Sequence, residues 1–266
     1  MGLDVNFALV LFILLVATGI PWVIERFYAR SRRSPDAPEP FWVEYGASFF
    51  PVVLIVFALR SFVVEPFQIP SGSMTPTLLE GDFILVNKYN YGIRLPLLDK
   101  KIIDIGDPRR GDVMVFHNPM NPAENYIKRV VGLPGDRVEY INKRLTINGE
   151  VVATLDAGTY LHTDRLYYSP QYLEHLGGVE HNILIEHEAP PYVGQIMNYP
   201  YRENCTYTVD GVRCTVPAGH YFMMGDNRDA SSDSRVWGFV PDENIVGRAF
   251  FIWFNFKNLK RVGRFH

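Results

Sequence analysis

The stretch PSGSMTPTLLEGDFILVNKYNYG, residues 70–92, joins a loop with two serines to an alternating apolar run. Proline fixes φ and glycine permits backbone shapes that other residues resist, so the first half predicts a rigid loop of unusual geometry. The second half contains DFILVNKY, which has the pattern of a β-strand. The stretch therefore predicts a caged pair of serines just before a β domain.

Runs of the same β type recur after residue 65, separated by turn signals. They lie at residues 82–89, 111–118, 125–132, 137–142, 144–153, 207–216, 220–226 and 244–256. The pair Asn148-Gly149 predicts a tight hairpin, because both central residues of such a turn need positive φ. We expect a mainly β domain with antiparallel sheets over residues 65–266, in which residues 145–215 carry no recognisable motif.

The N-terminal part has a different character. Residues 5–24, VNFALVLFILLVATGIPWVI, contain no charge, and about 20 apolar residues cross the hydrocarbon core as a helix. A cleaved secretory signal would have a basic start and a shorter apolar run, whereas the only charge before this run is Asp4. We expect residues 1–24 to form a retained transmembrane helix; a buried helix of a soluble domain is the alternative.

Residues 25–45 contain four arginines, which predict a cytoplasmic loop because positive flanks stay inside. A second apolar run, residues 46–59, stops at Arg60 and then resumes. If Arg60 snorkels to the interface, residues 46–64 make a second crossing; a re-entrant or surface-lying helix is the alternative. Two crossings would place the β domain outside the cytoplasm.

The overall composition excludes little. Of 266 residues, 47% are hydrophobic and 21% are charged, as in a globular protein that also carries membrane spans. The net charge of −3 gives no reason to expect nucleic acid as a partner.

Ser71 and Ser73 need an activating base if either is a nucleophile. Neither Gly-x-Ser-x-Gly nor Ser-x-x-Lys is present around them. A histidine triad stays open, because triad members can be far apart in sequence. On composition alone, such a loop is more often a plain turn.

Lys128, in ENYIKRVVGLPGD, is the candidate base. In a strand it shares one face with Tyr126 and Val130, among apolar neighbours that disfavour the charged ammonium. Burial of this kind can bring a lysine pKa from about 10.4 to roughly 7 or 8. We expect Arg129, on the opposite face, to point to solvent or a phosphate. The alternative is a lysine that guards a strand edge.

A dense polar loop, DNRDASSDSR at residues 226–235, separates two apolar strands. It lacks the spacing of a calcium loop. We expect it to satisfy itself through internal ion pairs and hydrogen bonds, and to present hydroxyls to a site beneath it.

Cys205 and Cys214 are the two cysteines. Outside the cytoplasm they could be bridged. With Asp210-Gly211 as turn residues, however, Cys205 would lie diagonal to Cys214, at about 7 to 8 Å. That exceeds the usual Cα separation of about 4.4 to 6.8 Å, so a disulfide and two reduced thiols both stay open. Their spacing does not fit a metal site.

Four segments, taken together, resemble the bacterial signal peptidase I (leader peptidase) family. They are FQIPSGSMTPTLLEGDFILVNK, RGDVMVF, YIKRVVGLPGD and GDNRDASSDSRVWGFVP, in the family's order and after a membrane anchor. The resemblance implies a serine endopeptidase without cofactor or metal. It would remove signal peptides from exported preproteins at the outer face of the inner membrane.

The same resemblance implies residue roles. Ser73 would be the nucleophile and Lys128 its general base, without a histidine. The Ser71 hydroxyl and the Ser73 N–H would bind the oxyanion. Ser231 would orient the Lys128 ammonium. The supporting residues would be the pair Asp233 and Arg235, with Asp226 and Arg228 beside them.

Substrate and membrane contacts follow by the same resemblance. Residues 65–70, EPFQIP, suit an edge to which a peptide adds as a strand. Shallow pockets for small residues at positions −3 and −1 of the cut would be lined by Phe67, Ile69, Met74, Tyr126 and Ile127. The partners would be signal peptides, membrane lipid and, nearby, the secretion translocon.

Three alternatives accompany this interpretation. The aromatic run FFIWFNF, residues 250–256, is either a buried strand or a surface that dips into the bilayer interface. A self-cleaving repressor protease also uses serine and lysine, but it is a soluble DNA-binding protein and the two spans disfavour it. A membrane-tethered, non-enzymatic β scaffold is the other alternative.

Overall fold

The computed structural model describes residues 7–32, 39–95, 100–162 and 166–265. The predicted features at residues 1–6 and 33–38 lie outside them. The chain divides into two compact units. One comprises Met1–Glu65 with Gly92–Asp104, and the other comprises Pro66–Tyr91 with Ile105–His266.

The first unit contains two apolar helices. The first helix consists of α1 (Phe7–Ile24), a π-helical turn (Glu25–Ala29) and a 3-10 turn (Arg30–Arg32). The second helix consists of α2 (Phe41–Glu44), a 3-10 turn (Ala47–Phe49), α3 (Phe50–Ala58) and a π-helical turn (Leu59–Val63). By length and composition, Phe7–Arg32 and Phe41–Val63 could each cross a membrane, since each contains an 18-residue stretch of high mean hydropathy, 2.6 in the first and 2.0 in the second. Rings of Trp22 and Phe50, 4.9 Å apart, join them.

The predicted loop at residues 25–45 is therefore helical at both ends. Residues 25–32 contain neither proline nor glycine, so nothing in them stops the first helix. Pro40 is the residue that precedes α2. The second helix starts five residues before the predicted 46, and the membrane crossings themselves stay predictions.

The strands, in chain order, are β1 (Val64–Gln68), β2 (Asp82–Asn87), β3 (Ile93–Arg94), β4 (Lys101–Ile103), β5 (Val113–Asn118), β6 (Asn121–Gly132), β7 (Arg137–Ile141), β8 (Arg144–Ile147), β9 (Glu150–Val151), β10 (Thr154–His162), β11 (Tyr167–Leu176), β12 (Val179–Leu184), β13 (Cys205–Thr208), β14 (Gly211–Thr215), β15 (His220–Met224), β16 (Val240–Pro241), β17 (Ile245–Asn255) and β18 (Gly263–Arg264). A short helix, α4 (Ser234–Trp237), precedes β16.

The large sheet has the order β1-β2-β17-β5-β6-β15-β16, with β18 beside β17. A five-stranded sheet, β13-β14-β7-β8-β9, and a three-stranded sheet, β10-β11-β12, accompany it. The pairs β2–β17, β17–β5, β5–β6, β7–β14 and β13–β14 all run antiparallel, so the prediction of a mainly β fold with antiparallel sheets is confirmed. The three-stranded sheet lies within residues 145–215, the segment in which the sequence shows no recognisable motif.

One apolar cluster lies beneath the serine loop. Met74 and Leu78, which follow Ser73, are both fully buried in it, together with Ile84 and Val86 of β2. Burying one such side chain stabilises a fold by about 1.5 to 3 kcal/mol. The serine loop is thus held down by the residues that follow it.

The hairpin predicted at Asn148-Gly149 is confirmed, since φ is 53° and 86° at these residues. The turn predicted at Asp210-Gly211 is wrong by one residue, because Gly211 pairs with Thr208. A side chain at Gly211 would collide with the main-chain oxygen of Tyr140, so this glycine serves the approach of β7 rather than the turn.

The corrected register makes Cys205 and Cys214 direct partners, not diagonal neighbours. Their Cα atoms are 4.1 Å apart, and the two residues form a disulfide.

Candidate active site

The serine loop is held on both sides of its nucleophile candidate. Ser73 belongs to a 3-10 turn, Gly72–Met74, whose Gly72 carbonyl accepts a hydrogen bond from Thr75 N at 3.1 Å. Asn227 donates from its side chain to the Gly72 carbonyl at 3.2 Å and from its main chain to the Ser73 carbonyl at 3.1 Å. Asn227 had no predicted role, and it fixes the serine to the polar loop.

Lys128 reaches this serine from β6. Its Nζ lies 2.6 Å from Ser73 Oγ, and only 5% of the residue is exposed. The ring of Tyr126, two residues earlier on the same face, lies 5.6 Å from Nζ. The strand alternation therefore aims Lys128 at a hydroxyl that is 55 residues away in sequence.

Burial lowers the pKa of the Lys128 amine from 10.5 to about 8, although the carboxylates of Asp233 and Asp226 act in the opposite direction. Each of these carboxylates already has a guanidinium partner. Arg235 binds Asp233 at 2.7 Å, and Arg129 binds Asp226 at 2.7 Å. Because the nearby negative charges are compensated, desolvation prevails and the amine is poised to lose its proton near neutral pH.

Ser71 lies at the exposed entrance of the loop, with its Oγ 3.4 Å from Ser73 Oγ. Ser231 Oγ is buried and has no hydrogen-bond partner among the described residues, so its bond to Lys128 stays a prediction. A side chain at Gly225 would collide with both the Ser231 side chain and the Ser73 carbonyl oxygen. Glycine at this position allows Ser231 to approach the serine loop.

Asp233 and Arg235 form a buried ion pair that closes the polar loop on itself. Besides Arg235, the Asp233 carboxylate accepts from Gly225 N at 3.0 Å. Arg235 Nη2 donates to the Arg228 carbonyl at 2.5 Å. Burial alone would raise the pKa of Asp233, but the Arg235 guanidinium holds it below its ordinary value. The carboxylate therefore stays charged and continues to hold the loop.

The prediction that Arg129 faces solvent or a phosphate is wrong. The side chain is 1% exposed and donates to Asp226 at 2.8 and 2.7 Å and to the Gly111 carbonyl at 2.7 Å. Thr77 Oγ1 donates to the same carboxylate at 2.5 Å. The reason is that β6 lies inside the large sheet, between β5 and β15, where both faces of a strand can be covered.

Two further buried groups come from the three-stranded sheet. Glu174 pairs with the Arg228 guanidinium, and His181 Nε2 lies 3.3 Å from Glu174 and 3.8 Å from Asp226. All four side chains are at most 1% exposed. Sequence reasoning missed them because Glu174 lies 54 residues before its arginine and in a segment without a motif.

Tyr126 and Ile127, of the five predicted pocket residues, line a cavity of about 1020 Å³ with Ser71, Ser73 and Lys128. Ile69 and Met74 are buried with Ile127 in the apolar cluster below, and Phe67 packs against that cluster. Two of the predicted pocket residues thus line the cavity, and the other three lie in or against the apolar cluster beneath it.

The sequence family described as "Signal peptidase, peptidase S26" matches residues 42–254, a range that includes Ser71, Ser73, Lys128 and the polar loop at residues 226–235. The chain belongs to this family. It is 50% identical to "Signal peptidase I" of Pseudomonas fluorescens, over 98% of this chain and 99% of that protein. It is 54% identical to "Signal peptidase I" of Pseudomonas aeruginosa, over 86% of this chain and 81% of that one.

Among solved structures, a signal peptidase I from Enterococcus faecalis V583 is 27% identical, with a TM-score of 0.32 over 55% of this chain and 98% of that chain. The family found by comparison is the one that the four sequence segments resemble, so that recognition is confirmed.

Proposed function

We propose that this chain is a membrane-bound serine endopeptidase that removes signal peptides from exported preproteins, with Ser73 as nucleophile and Lys128 as general base. Membership of the signal peptidase S26 family supports the peptidase activity. The observation that carries the assignment of residues is the 2.6 Å contact between Ser73 Oγ and a lysine amine with a pKa near 8.

The neutral Lys128 amine takes the Ser73 proton as Oγ attacks the carbonyl carbon of the scissile bond. The resulting ammonium then protonates the leaving amine, and an acyl-enzyme ester remains on Ser73. Water attacks this ester while the amine accepts a proton from it; the bond between Ser73 Oγ and the acyl carbon breaks, the ammonium returns the proton to Oγ, and the signal peptide leaves with a free carboxylate. Proton transfer by a positioned base contributes about 10² to 10⁴ in rate.

The oxyanion formed in both steps needs donors that are already in place. The Ser71 hydroxyl and the Ser73 N–H are the proposed donors. One such donor stabilises the transition state by about 3 to 4 kcal/mol. Ser231 is proposed to orient the Lys128 amine, and the Asp233–Arg235 pair is proposed to hold the polar loop that carries Ser231.

Substrate binding is proposed at β1, which lies at the edge of the large sheet. A peptide added there as a strand would be held by main-chain hydrogen bonds, and pockets would read alternate side chains. Tyr126 and Ile127 lie in the cavity wall, and we place the pockets for the small residues at positions −3 and −1 beside them.

The proposal is tested with purified full-length protein in detergent and a precursor that carries an Ala-x-Ala site. We expect the native enzyme to release the signal peptide and the Ser73→Ala variant to leave the precursor intact. Ser31→Ala is the matched control, since Ser31 is exposed and bonds only to its own helix in the described contacts. Cleavage by the Ser73→Ala variant, or a native protein that cleaves nothing, would contradict the proposal and favour the scaffold alternative.

The location in the inner membrane, with the catalytic domain in the periplasm and near the translocon, is part of this proposal. So is contact with lipid. Trp253 and Phe256 are 43% and 79% exposed, and both rings pack around Phe83. A group of exposed aromatic side chains is suited to the headgroup region of a bilayer.

A polarity-sensitive dye on Phe256→Cys in proteoliposomes tests the lipid contact. We expect blue-shifted emission, because the dye enters the interface. The control carries the dye on Val209→Cys, a position of similar exposure (77%) at the tip of the β13–β14 hairpin. Water-like emission from both labelled proteins would show that the aromatic group stays outside the lipid.

A further inference from the structure

The cavity has an aromatic wall for which the proposed mechanism has no use. Tyr160 and His162 of β10 and Tyr167 of β11 line it together with Ser73 and Lys128. His162 pairs with Tyr167, so their side chains share a face of the hairpin. The two rings are stacked, with centroids 4.2 Å apart, and the Tyr160 ring stands edge-on to His162 at 4.9 Å.

This wall is fixed to the nucleophile loop by a chain of polar contacts. His162 Nε2 lies 2.8 Å from the buried hydroxyl of Ser169, which donates to the Glu186 carboxylate. Glu186 N donates to Asp229 at 2.8 Å. Asp229 follows Asn227 by two residues, and Asn227 holds the Gly72 and Ser73 carbonyls. The rings therefore stand at a set position relative to the reacting serine.

The position of the wall indicates which part of a substrate it meets. Asn255 and Lys257, from the end of β17 and the segment after it, also line the cavity, and in the sequence they flank Phe256, whose ring is exposed. The apolar part of a signal peptide precedes the cut, so it belongs with this aromatic surface and with β1. The β10–β11 hairpin belongs to a different sheet, so it is available to contact the substrate residues after the cut.

We propose that Tyr160, His162 and Tyr167 form a subsite for the first residues of the mature protein, and that it favours an aromatic side chain over a carboxylate. The inference rests on the proposed signal peptidase function. Aromatic rings pair by stacking or edge contacts, whereas their negatively polarised faces disfavour anions.

The test uses full-length enzyme and peptides with an Ala-x-Ala site that carry Phe, Ala or Glu at each of the first four positions after the cut. We expect the Phe peptide to exceed the Glu peptide in kcat/KM at one of these positions. Tyr167→Ala should reduce this preference by about fivefold, the size expected for one aromatic contact, and mainly through KM.

Tyr168→Ala is the matched control, because Tyr168 pairs with Leu161, faces away from the cavity side of the hairpin and is 65% exposed. Equal effects of the two variants, or no preference for Phe over Glu at any of the four positions, would overturn the subsite. Binding of the same peptides to the Ser73→Ala protein repeats the comparison without cleavage. A failure of the proposed catalysis is thus distinguishable from a failure of the subsite.

Discussion

Lys128→Met is expected to abolish cleavage and, at the same time, to make the folded protein more stable at pH 7. Methionine has a similar length and no charge, so it can fill the same buried space beside Tyr126. Without a base, Ser73 keeps its proton, and loss of one member of such a catalytic unit lowers kcat by about 10⁴- to 10⁶-fold. Single-turnover cleavage of an Ala-x-Ala precursor measures this loss.

The pH dependence of the native enzyme tests the same residue. An ammonium cannot accept the serine proton, so kcat/KM should rise with pH, with a midpoint near the Lys128 pKa of about 8, and then level off. A profile that stays flat between about pH 6 and 10 would show that another group is the base.

The stability gain follows from proton linkage. The amine has a pKa of 10.5 when unfolded and about 8 when folded, so the unfolded chain binds more protons between these values and stability rises there with pH. Below pH 8 the folded state bears the full cost of burying the charge, about 3 kcal/mol for this shift.

Lys128→Met removes that cost, so thermal unfolding should show a higher Tm at pH 7 and a vanishing difference above about pH 10.5. The control is Lys260→Met at an exposed position, with an expected change within about 0.5 kcal/mol. A Tm for Lys128→Met below that of the native protein at pH 7 would mean that the lysine is held by an attraction stronger than its desolvation.

Arg129→Met should cause the largest loss of stability, because it leaves the Asp226 carboxylate buried without its guanidinium. Breaking a buried pair in this way costs about 3 to 5 kcal/mol. The uncompensated carboxylate should also attract the Lys128 ammonium, which shifts the midpoint of the activity profile to higher pH. Thermal unfolding and the pH profile of kcat/KM measure the two effects.

Arg137→Met is the matched control, since this arginine is 63% exposed and pairs with Glu139 at 2.9 Å on the surface. Its removal should change stability by less than about 1 kcal/mol. If both variants unfold at the same temperature, the buried pair has no special part in holding the fold.

The sequence predicts those features of the site that depend on neighbouring residues in the chain better than those that depend on contacts between distant segments. The hairpin at Asn148-Gly149 is a local property of two residues, and its prediction is confirmed. The orientation of Lys128 follows from strand alternation, but its pairing with Ser73 became a prediction only through the family resemblance.

Features decided by neighbouring strands were predicted wrongly or not at all. Gly211 was interpreted as a turn residue, whereas it is glycine because β7 passes too close for a side chain. The same error placed Cys205 diagonal to Cys214 instead of directly opposite it. Arg129 looked like a surface charge because no local pattern shows that β6 is covered on both faces. Glu174 pairs with Arg228, which lies in a loop 54 residues later, and no local sequence pattern predicts this contact.

Glu174 and His181 also decide what can be removed from this enzyme. In the described part of the chain, the only carboxylate that forms an ion pair with Arg228 is Glu174 of the three-stranded sheet, at the base of the loop that faces the amine. A shortened enzyme without Thr154–Leu184 would leave that guanidinium without its ion-pair partner. Protein engineers who seek a minimal processing enzyme would have to redesign Arg228 together with the deletion.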